Sequence, residues 1–207
     1  MLTNRNPWIG IQVRAECANE GLVEFYPTVG TYGWVVPEHN DIARVGLCAR
    51  KDAKSIFDRF LLQRGVGKIL SYQGGLIPEY LPSVTTSKGP VRLVGDAATH
   101  VKATTGGGII QSLIAGEALS HSIHTGENYD RAWRAKLGRD LWIHLKMRTV
   151  MDRFTPADWE YLITLFEQDK LRTILETHDR EYPSRFLLSM FLKEPRLAYF
   201  GRFFFGG

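Results

Sequence analysis

One stretch of the chain carries residue types spaced for chemistry, Val91 to Leu119, which reads VRLVGDAATHVKATTGGGIIQSLIAGEAL. A short apolar run predicts a buried strand that delivers Asp96 at its C-terminal end, and ten residues later Gly106, Gly107 and Gly108 open onto a helix starting near Ile109. An ionised carboxylate offers only hydrogen-bond acceptors, so at a strand end it suits the hydroxyls of a sugar or polyol. Glycines at a helix start let a flat ligand reach the backbone, where free N–H groups and the positive end of the helix dipole stabilise negative charge. Together these parts suit a polyol-linked ring that becomes anionic, as a reduced flavin does. Each part alone has plainer uses: Gly-Asp at a strand end also serves as a metal ligand or a cap, and a glycine run also serves as a turn. The chain has no GxxxxGK followed by Ser or Thr, which excludes the phosphate loop of an NTPase.

The elements that must position these residues follow from pattern. Trp8 to Arg14, Leu22 to Tyr26, Tyr32 to Val36 and Ile42 to Cys48 are short β-branched and aromatic runs between Gly, Pro, Asn and Asp, and predict an antiparallel sheet with a hairpin tip at EHND, residues 38–41. Ile56, Phe57, Phe60 and Leu61 predict a helix over 53–64 that ends at Gly65. Gly74 to Tyr80 and Val91 to Val94 read as two further strands. The helix after the glycines should bury Ile109, Ile110, Leu113, Ala118, Leu119 and Ile123. Beyond residue 128 the chain reads as helical, with Trp133, Leu137, Leu141 and Leu145 on one face. Thr155 and Pro156 supply an N-cap and first helical residue, and a helix over Ser184 to Lys193 precedes the aromatic tail RLAYFGRFFFGG. The expected class is α/β (α+β), divided into an antiparallel sheet region over 1–90, the strand and helix that carry Asp96 and the glycines over 91–125, and a helical C-terminal region over 126–207.

Composition sets the frame. The 207 residues are 44% hydrophobic and 23% charged, which excludes disorder, collagen and coiled coil. Charge is balanced to residue 130, with 12 basic and 12 acidic side chains, and the net excess of +4 sits in the remainder. That excess is too dilute for a nucleic-acid footprint, so no nucleic-acid partner is expected. Cys17 and Cys48 make neither a disulfide framework nor a zinc spacing, and suit a reducing interior. With no spanning-length apolar run and no secretory pattern at the N-terminus, the expected location is cytoplasmic, with peripheral contact at a membrane.

Gly95, Asp96, Ala97, Ala98 and then Thr105, Gly106, Gly107, Gly108, Ile109 resemble the GDAA and TGGGI elements of flavoproteins with the para-hydroxybenzoate hydroxylase fold, in particular the geranylgeranyl reductase family. A second motif points the same way. Tyr32, Gly33, Trp34, Val35, Val36 and Pro37, followed after eight residues by Gly46, Leu47 and Cys48, resemble that family's YxWxFP and GxG signatures, with Val36 in place of phenylalanine and Cys48 in place of glycine. The resemblance implies an FAD cofactor whose ribityl chain is held by Asp96, with the Gly108 and Ile109 backbone facing the pyrimidine edge of the ring. It implies reduction of carbon–carbon double bonds in isoprenoid lipids by hydride from reduced flavin. It also assigns Tyr32, Trp34 and Pro37 to the substrate. Read from strand alternation alone, Tyr32, Trp34 and Val36 share one face, which serves equally as an apolar wall or as a face packed on core.

Flavoproteins of this fold begin with a GxGxxG unit, and this chain contains no GxGxxG. The resemblance therefore covers the C-terminal half or so of the family, and the expected partners include an N-terminal FAD-binding half on another chain. The isoprenoid substrate and an external donor, NAD(P)H or ferredoxin-type, complete the partners. Two rival readings are another flavin oxidoreductase of the same fold, such as a monooxygenase or halogenase, and an inactive remnant that binds lipid or protein. His100 and Lys102 bear on the flavin or lie in a solvent-facing loop. His121, His124 and His144 read as surface or helix-packing residues. Arg196, Arg202 and Phe203 to Phe205 combine charge with apolar anchors, for a membrane surface or as an aromatic plug against another chain.

Overall fold

Alternation in the first third of the chain produces the expected antiparallel sheet. The computed structural model describes residues 7–205, which divide into two units, 7–78 and 79–205. In the first, β1 (Trp8–Glu16), β2 (Glu24–Tyr26), β3 (Tyr32–His39), β4 (Ile42–Ala49) and β5 (Ile69–Ile77) pair in the order β2-β3-β4-β1-β5. Every pairing is antiparallel. Val13, Ala15, Val35, Val45 and Leu47 line one face and pack on Phe57 and Phe60 of α1 (Ala53–Gln63). Burial of each of these phenylalanines contributes about 2 kcal/mol. Gly65, at φ +67°, closes the helix as expected.

Two strand expectations shift. The β3–β4 turn keeps only Asn40 and Asp41 outside the strands, because pairing runs on to His39 and Ile42. The last strand begins at Ile69 and ends at Ile77 rather than running from Gly74 to Tyr80. Pairing with β1 from Ala15 to Trp8 sets its length, and Pro78, which has no N–H to donate, follows its end. β5 is an edge strand, and most of its residues are exposed.

The second unit is mainly helical. β6 (Ser87–Lys88) and β7 (Val91–Arg92) form a small hairpin, a 3-10 turn spans Gly95–Ala98, and α2 runs over Ile109–Thr125. The expected buried strand at 91–94 is replaced by this hairpin, and Val91 is 57% exposed because β6 is β7's one strand partner among the described residues. α3 (Tyr129–Trp133), a π turn (Arg134–Gly138) and α4 (Arg139–Met151) follow one another without a break. Trp133, Leu137 and Leu141 pack there with Tyr80, Ala115 and Ala118.

A further core gathers Val150, Leu165, Leu171, Ile174, Phe186 and Met190 from α4, α5 (Pro156–Phe166), α6 (Asp169–Thr177) and α7 (Leu187–Lys193). Thr155 caps α5 as expected, its hydroxyl oxygen accepting from the Asp158 N–H while Asp158 accepts from the Thr155 N–H at 2.9 Å. The aromatic tail packs against this core. Phe200 is buried, Phe203 stacks on Phe154, and Arg202, in α8 (Arg202–Phe205), pairs with Asp158 at 2.7 Å. Arg196 pairs with buried Glu194 at 2.6 Å, an interaction that holds the Glu194 carboxyl well below its usual range.

The buried face of α2 includes Ala118 and Leu119 as expected, but corrects the expectation for Ile109, Ile110, Leu113 and Ile123. Gln111, Ala115, Ala118 and Ser122 point inward, whereas Ile109, Leu113 and Ile123 are 79%, 66% and 72% exposed. Both sides of the helix carry apolar or small residues, so apolar periodicity alone does not select between them.

Candidate functional site

The residues singled out by sequence fall into two sets, one in each unit. In the second unit the 3-10 turn starts at Gly95, whose φ of +68° and a Ser112 Oγ 3.0 Å from where a Cβ would stand leave room only for glycine. The turn is closed by Thr99, a residue at φ +56°, whose N–H donates to the Asp96 carbonyl at 3.0 Å and whose hydroxyl accepts from the Leu81 N–H. This buried threonine holds the backbone in a sparsely populated conformation, fixing the turn so that Asp96 and Ala97 face outward.

The glycine run folds back on Lys102. The Lys102 N–H donates to the Gly107 carbonyl, and the Lys102 carbonyl accepts from the Gly106 N–H, both at 2.8 Å. Gly108 then starts α2 without a side-chain cap. A Cβ at Gly108 would lie 3.0 Å from the His100 carbonyl oxygen and 3.4 Å from Asp96 Oδ1. The structure therefore brings Asp96 against the glycine face at the start of a 17-residue helix whose first-turn N–H groups lack intrahelical acceptors. An acceptor for hydroxyls and an electropositive backbone edge stand side by side. A hollow of about 590 Å³, lined by Thr86, Ser87, Lys88, Val91, Leu93 and Ala97, adjoins the same turn.

Behind the loop lies a polar cluster. Glu181 accepts from Lys102 Nζ at 2.5 Å and from Gln111 Nε2, tying both the loop hub and the first turn of α2 to one carboxylate. Thr104 Oγ1 bonds His144 Nδ1 at 2.8 Å. His100 is fully buried, its ring 4.4 Å from that of Trp133, and neither ring nitrogen has a hydrogen-bond partner among the described residues. Burial pushes both imidazoles down to about 4, aided by the Arg134 cation for His100 and the Lys102 cation for His144. His100 is thus no solvent-facing loop residue. His144 is a packing residue that also holds the loop, whereas His121 and His124 are exposed. No group of His, Cys, Asp and Glu among the described residues has the arrangement to hold a metal ion.

In the first unit Tyr32 and Trp34 lie on the sheet face opposite α1, as alternation requires. Their rings are 5.6 Å apart, with Trp8 and Phe25 completing an aromatic cluster around Tyr32. Trp34 Nε1 donates to Gln12 Oε1 at 2.9 Å, and its indole covers Gly46, where a Cβ would stand 2.4 Å from Cζ2. Gly46 is a mould for the indole. Pro37 is not brought together with Tyr32 and Trp34; it pairs with Ala43 and shares with Val35 the face toward α1. A groove of about 730 Å³ opens between β1 and α1, lined by Ile9, Ile11 and Leu62 with Lys54, Asp58 and Arg59.

No protein-family model matches the chain. It is 31% identical over 160 residues to digeranylgeranylglycerophospholipid reductase 2 of Methanothermobacter thermautotrophicus, covering 69% of this chain and 41% of the relative. It is also 31% identical over 182 residues to digeranylgeranylglycerophospholipid reductase of Methanoculleus marisnigri, covering 79% and 43%. Among solved structures, a geranylgeranyl bacteriochlorophyll reductase-like protein of Thermoplasma acidophilum superposes with a TM-score of 0.67 at 18% identity, over 96% of this chain and 55% of that one.

The chain belongs to the geranylgeranyl reductase family. It spans about two fifths of the length of these curated relatives. A flavin-dependent halogenase shares the fold, with a TM-score of 0.53 at 13% identity, covering 82% of this chain and 40% of that one. The fold of this geranylgeranyl reductase family member offers a flavin a fitting cradle: side-chain-free backbone at Gly107 and Gly108, the Asp96 carboxylate beside it, and an uncapped helix start. Among the described residues no helix is long and apolar enough to cross a membrane.

Sequence reasoning missed Glu181 and Gln111. Gln111 left a weak signal, a polar residue on what becomes the inner side of α2, but Glu181 lies 79 residues from Lys102 and nothing local links them.

Proposed function

We propose that this chain serves flavin-dependent reduction of carbon–carbon double bonds in the isoprenoid chains of lipids or lipid precursors, with FAD as cofactor. When bound, reduced FAD would supply hydride to one alkene carbon, and the other carbon would take up a proton, so that each reduced bond gains two hydrogens. Asp96 accepts hydrogen bonds from the ribityl hydroxyls, and the N–H groups at Gly108 and Ile109, with the α2 dipole behind them, stabilise negative charge at the pyrimidine edge. Gly95, Gly106 and Gly107 keep the turn and the loop open to a flat ring. Tyr32 and Trp34 provide the apolar wall for the isoprenoid, at roughly 25 cal/mol per Å² buried. An unactivated alkene offers little polarity, so these groups act by positioning and by excluding water. Pro37, on the other face, acts on the course of β3 rather than by touching the lipid. An external donor, NAD(P)H or ferredoxin-type, regenerates the reduced cofactor.

The observation that carries this reading is the Asp96 carboxylate set against the glycine face of an uncapped long helix. Its test is a fluorescence titration with FAD of this chain mixed with the segment of the Methanothermobacter relative outside the matched residues, alongside Asp96→Ala and Gly108→Val. Each variant should weaken binding about tenfold or more, the loss of a charged hydrogen bond or of backbone access. Reduced FAD with a digeranylgeranyl lipid should then yield products heavier by two hydrogens per bond, read by mass spectrometry. Flavin affinity indifferent to both substitutions would refute the assignment.

A further inference from the structure

The sheet face opposite α1 changes character along its length. At one end stand Trp8, Tyr32 and Trp34. Six residues further along β1, about 20 Å of strand, the same face carries Arg14, which pairs directly with Arg44 of β4. Like charges directly opposite each other on a ladder are destabilising, so this register calls for an anion between them. Glu38 supplies one. A register shift between Pro37 and His39 takes Glu38 out of the β3–β4 pairing, and its carboxylate accepts from Arg14 Nε at 2.5 Å and from Arg44 Nε at 2.8 Å. Arg14 above all, with Arg44, holds the Glu38 carboxyl below its usual range, so it stays ionised at neutral pH. One carboxylate against two guanidiniums leaves a net positive charge.

Among the described residues the other guanidinium donors make one further bond, from Arg44 Nη1 to Gln73 Oε1 at 3.4 Å. The two side chains are 40% and 42% exposed, so their planar forks remain open to an anion whose oxygens they match, of which phosphate is the best fit. A row of hydrogen bonds joins them to the aromatic end. Trp34 Nε1 donates to Gln12 Oε1, Gln12 Nε2 donates to Gln73 Oε1 at 2.6 Å, and Arg44 reaches that same oxygen. We propose that Arg14 and Arg44 form the site for a phosphate at the head of an isoprenoid whose chain lies on the Tyr32 and Trp34 wall. The place of the chain rests on the isoprenoid reading above, and the place of the phosphate rests on the arginines. A lipid head and a free phosphate share this chemistry, and the ligands chosen below separate them.

The test needs neither flavin nor turnover. Equilibrium dialysis of this chain measures its affinity for farnesol, farnesyl phosphate and inorganic diphosphate. Farnesyl phosphate should bind about tenfold or more tightly than farnesol, and the preference should shrink as salt rises. Arg14→Gln/Arg44→Gln should abolish the preference and leave farnesol affinity unchanged. Glu38→Gln removes the competing carboxylate and should widen the preference, a response that a purely structural ion cluster would not give. Lys51→Gln/Lys68→Gln, an equal change of charge at two other exposed positions of the same unit, should keep it. Far-ultraviolet circular dichroism of each variant should match wild type. Equal affinity for the phosphate and the alcohol overturns the site, as does a preference that survives loss of both arginines, narrows in Glu38→Gln or vanishes in the lysine control. Inorganic diphosphate bound as tightly as farnesyl phosphate would replace the lipid head with a free anion. No binding of farnesol, with diphosphate held by wild type and released by the double arginine variant, would refute the isoprenoid wall and not the anion site.

Discussion

Two buried histidines make the second unit sensitive to mild acid. His100 and His144 are each held near 4, against an ordinary value of 6.5, and the chief cause in both is burial of a ring that would have to take on charge. In the unfolded chain both titrate normally, so between these values the unfolded state binds more protons than the folded one. Their contribution to stability is fully present above about 6.5 and is lost as pH falls toward 4. Going from about pH 7 to about pH 5, each histidine costs about 2 kcal/mol, or about 4 kcal/mol for the pair. That is a large share of a typical domain stability of about 5–15 kcal/mol. The assay is urea denaturation across that range, followed by tryptophan fluorescence, because the His100 ring lies against Trp133. His100→Phe keeps a ring in that contact and removes one titrating group, so it should retain about half of the pH dependence. Midpoints that do not move between these pH values would refute the reasoning, as would a His100→Phe chain that loses stability as steeply as wild type.

Other perturbations test other parts. Gly46→Ala places a methyl within the Trp34 indole, and should cost about 1–3 kcal/mol and change the near-ultraviolet circular dichroism of the aromatic cluster. Thr155→Ala removes one half of a reciprocal cap and should cost about 1 kcal/mol in chemical denaturation. Glu181→Gln leaves the Lys102 ammonium without its anion behind the glycine loop, and should cost about 1–3 kcal/mol while weakening FAD binding in the same titration used for Asp96→Ala.

Much of the local architecture was legible because its causes are local. Alternation around Val13, Val35 and Val45 foretold a sheet with one buried face, and Thr155-Pro156 foretold the start of α5. The meeting of Asp96 with Gly108 was also within reach, since a short turn and a glycine loop cover the eleven residues between them. What escaped depends on distant partners. The clamp by Glu181 crosses 79 residues, and the burial of His100 depends on Trp133, far along the chain. The orientation of α2 was misread for another reason. Isoleucines and leucines signal burial only when the opposite side is polar, and here Ala115 and Ala118 pack more closely than branched side chains would. Pro37 was placed with Tyr32 and Trp34 by motif, whereas strand parity turns it to the opposite face.

β5 has a consequence of its own. Eight of its nine residues pair with β1 along one side, Leu70 falling at a register shift, and no strand covers the other side among the described residues. Leu70, Tyr72 and Leu76 are exposed along it, Gly74 and Gly75 lie at its centre, and it carries neither lysine nor proline within its length. Unpaired N–H and C=O groups in such a row accept any extended segment that presents its own, and the readiest supply at high concentration is another molecule of the same chain. Protein concentration is therefore a variable of this fold's integrity, alongside temperature and pH.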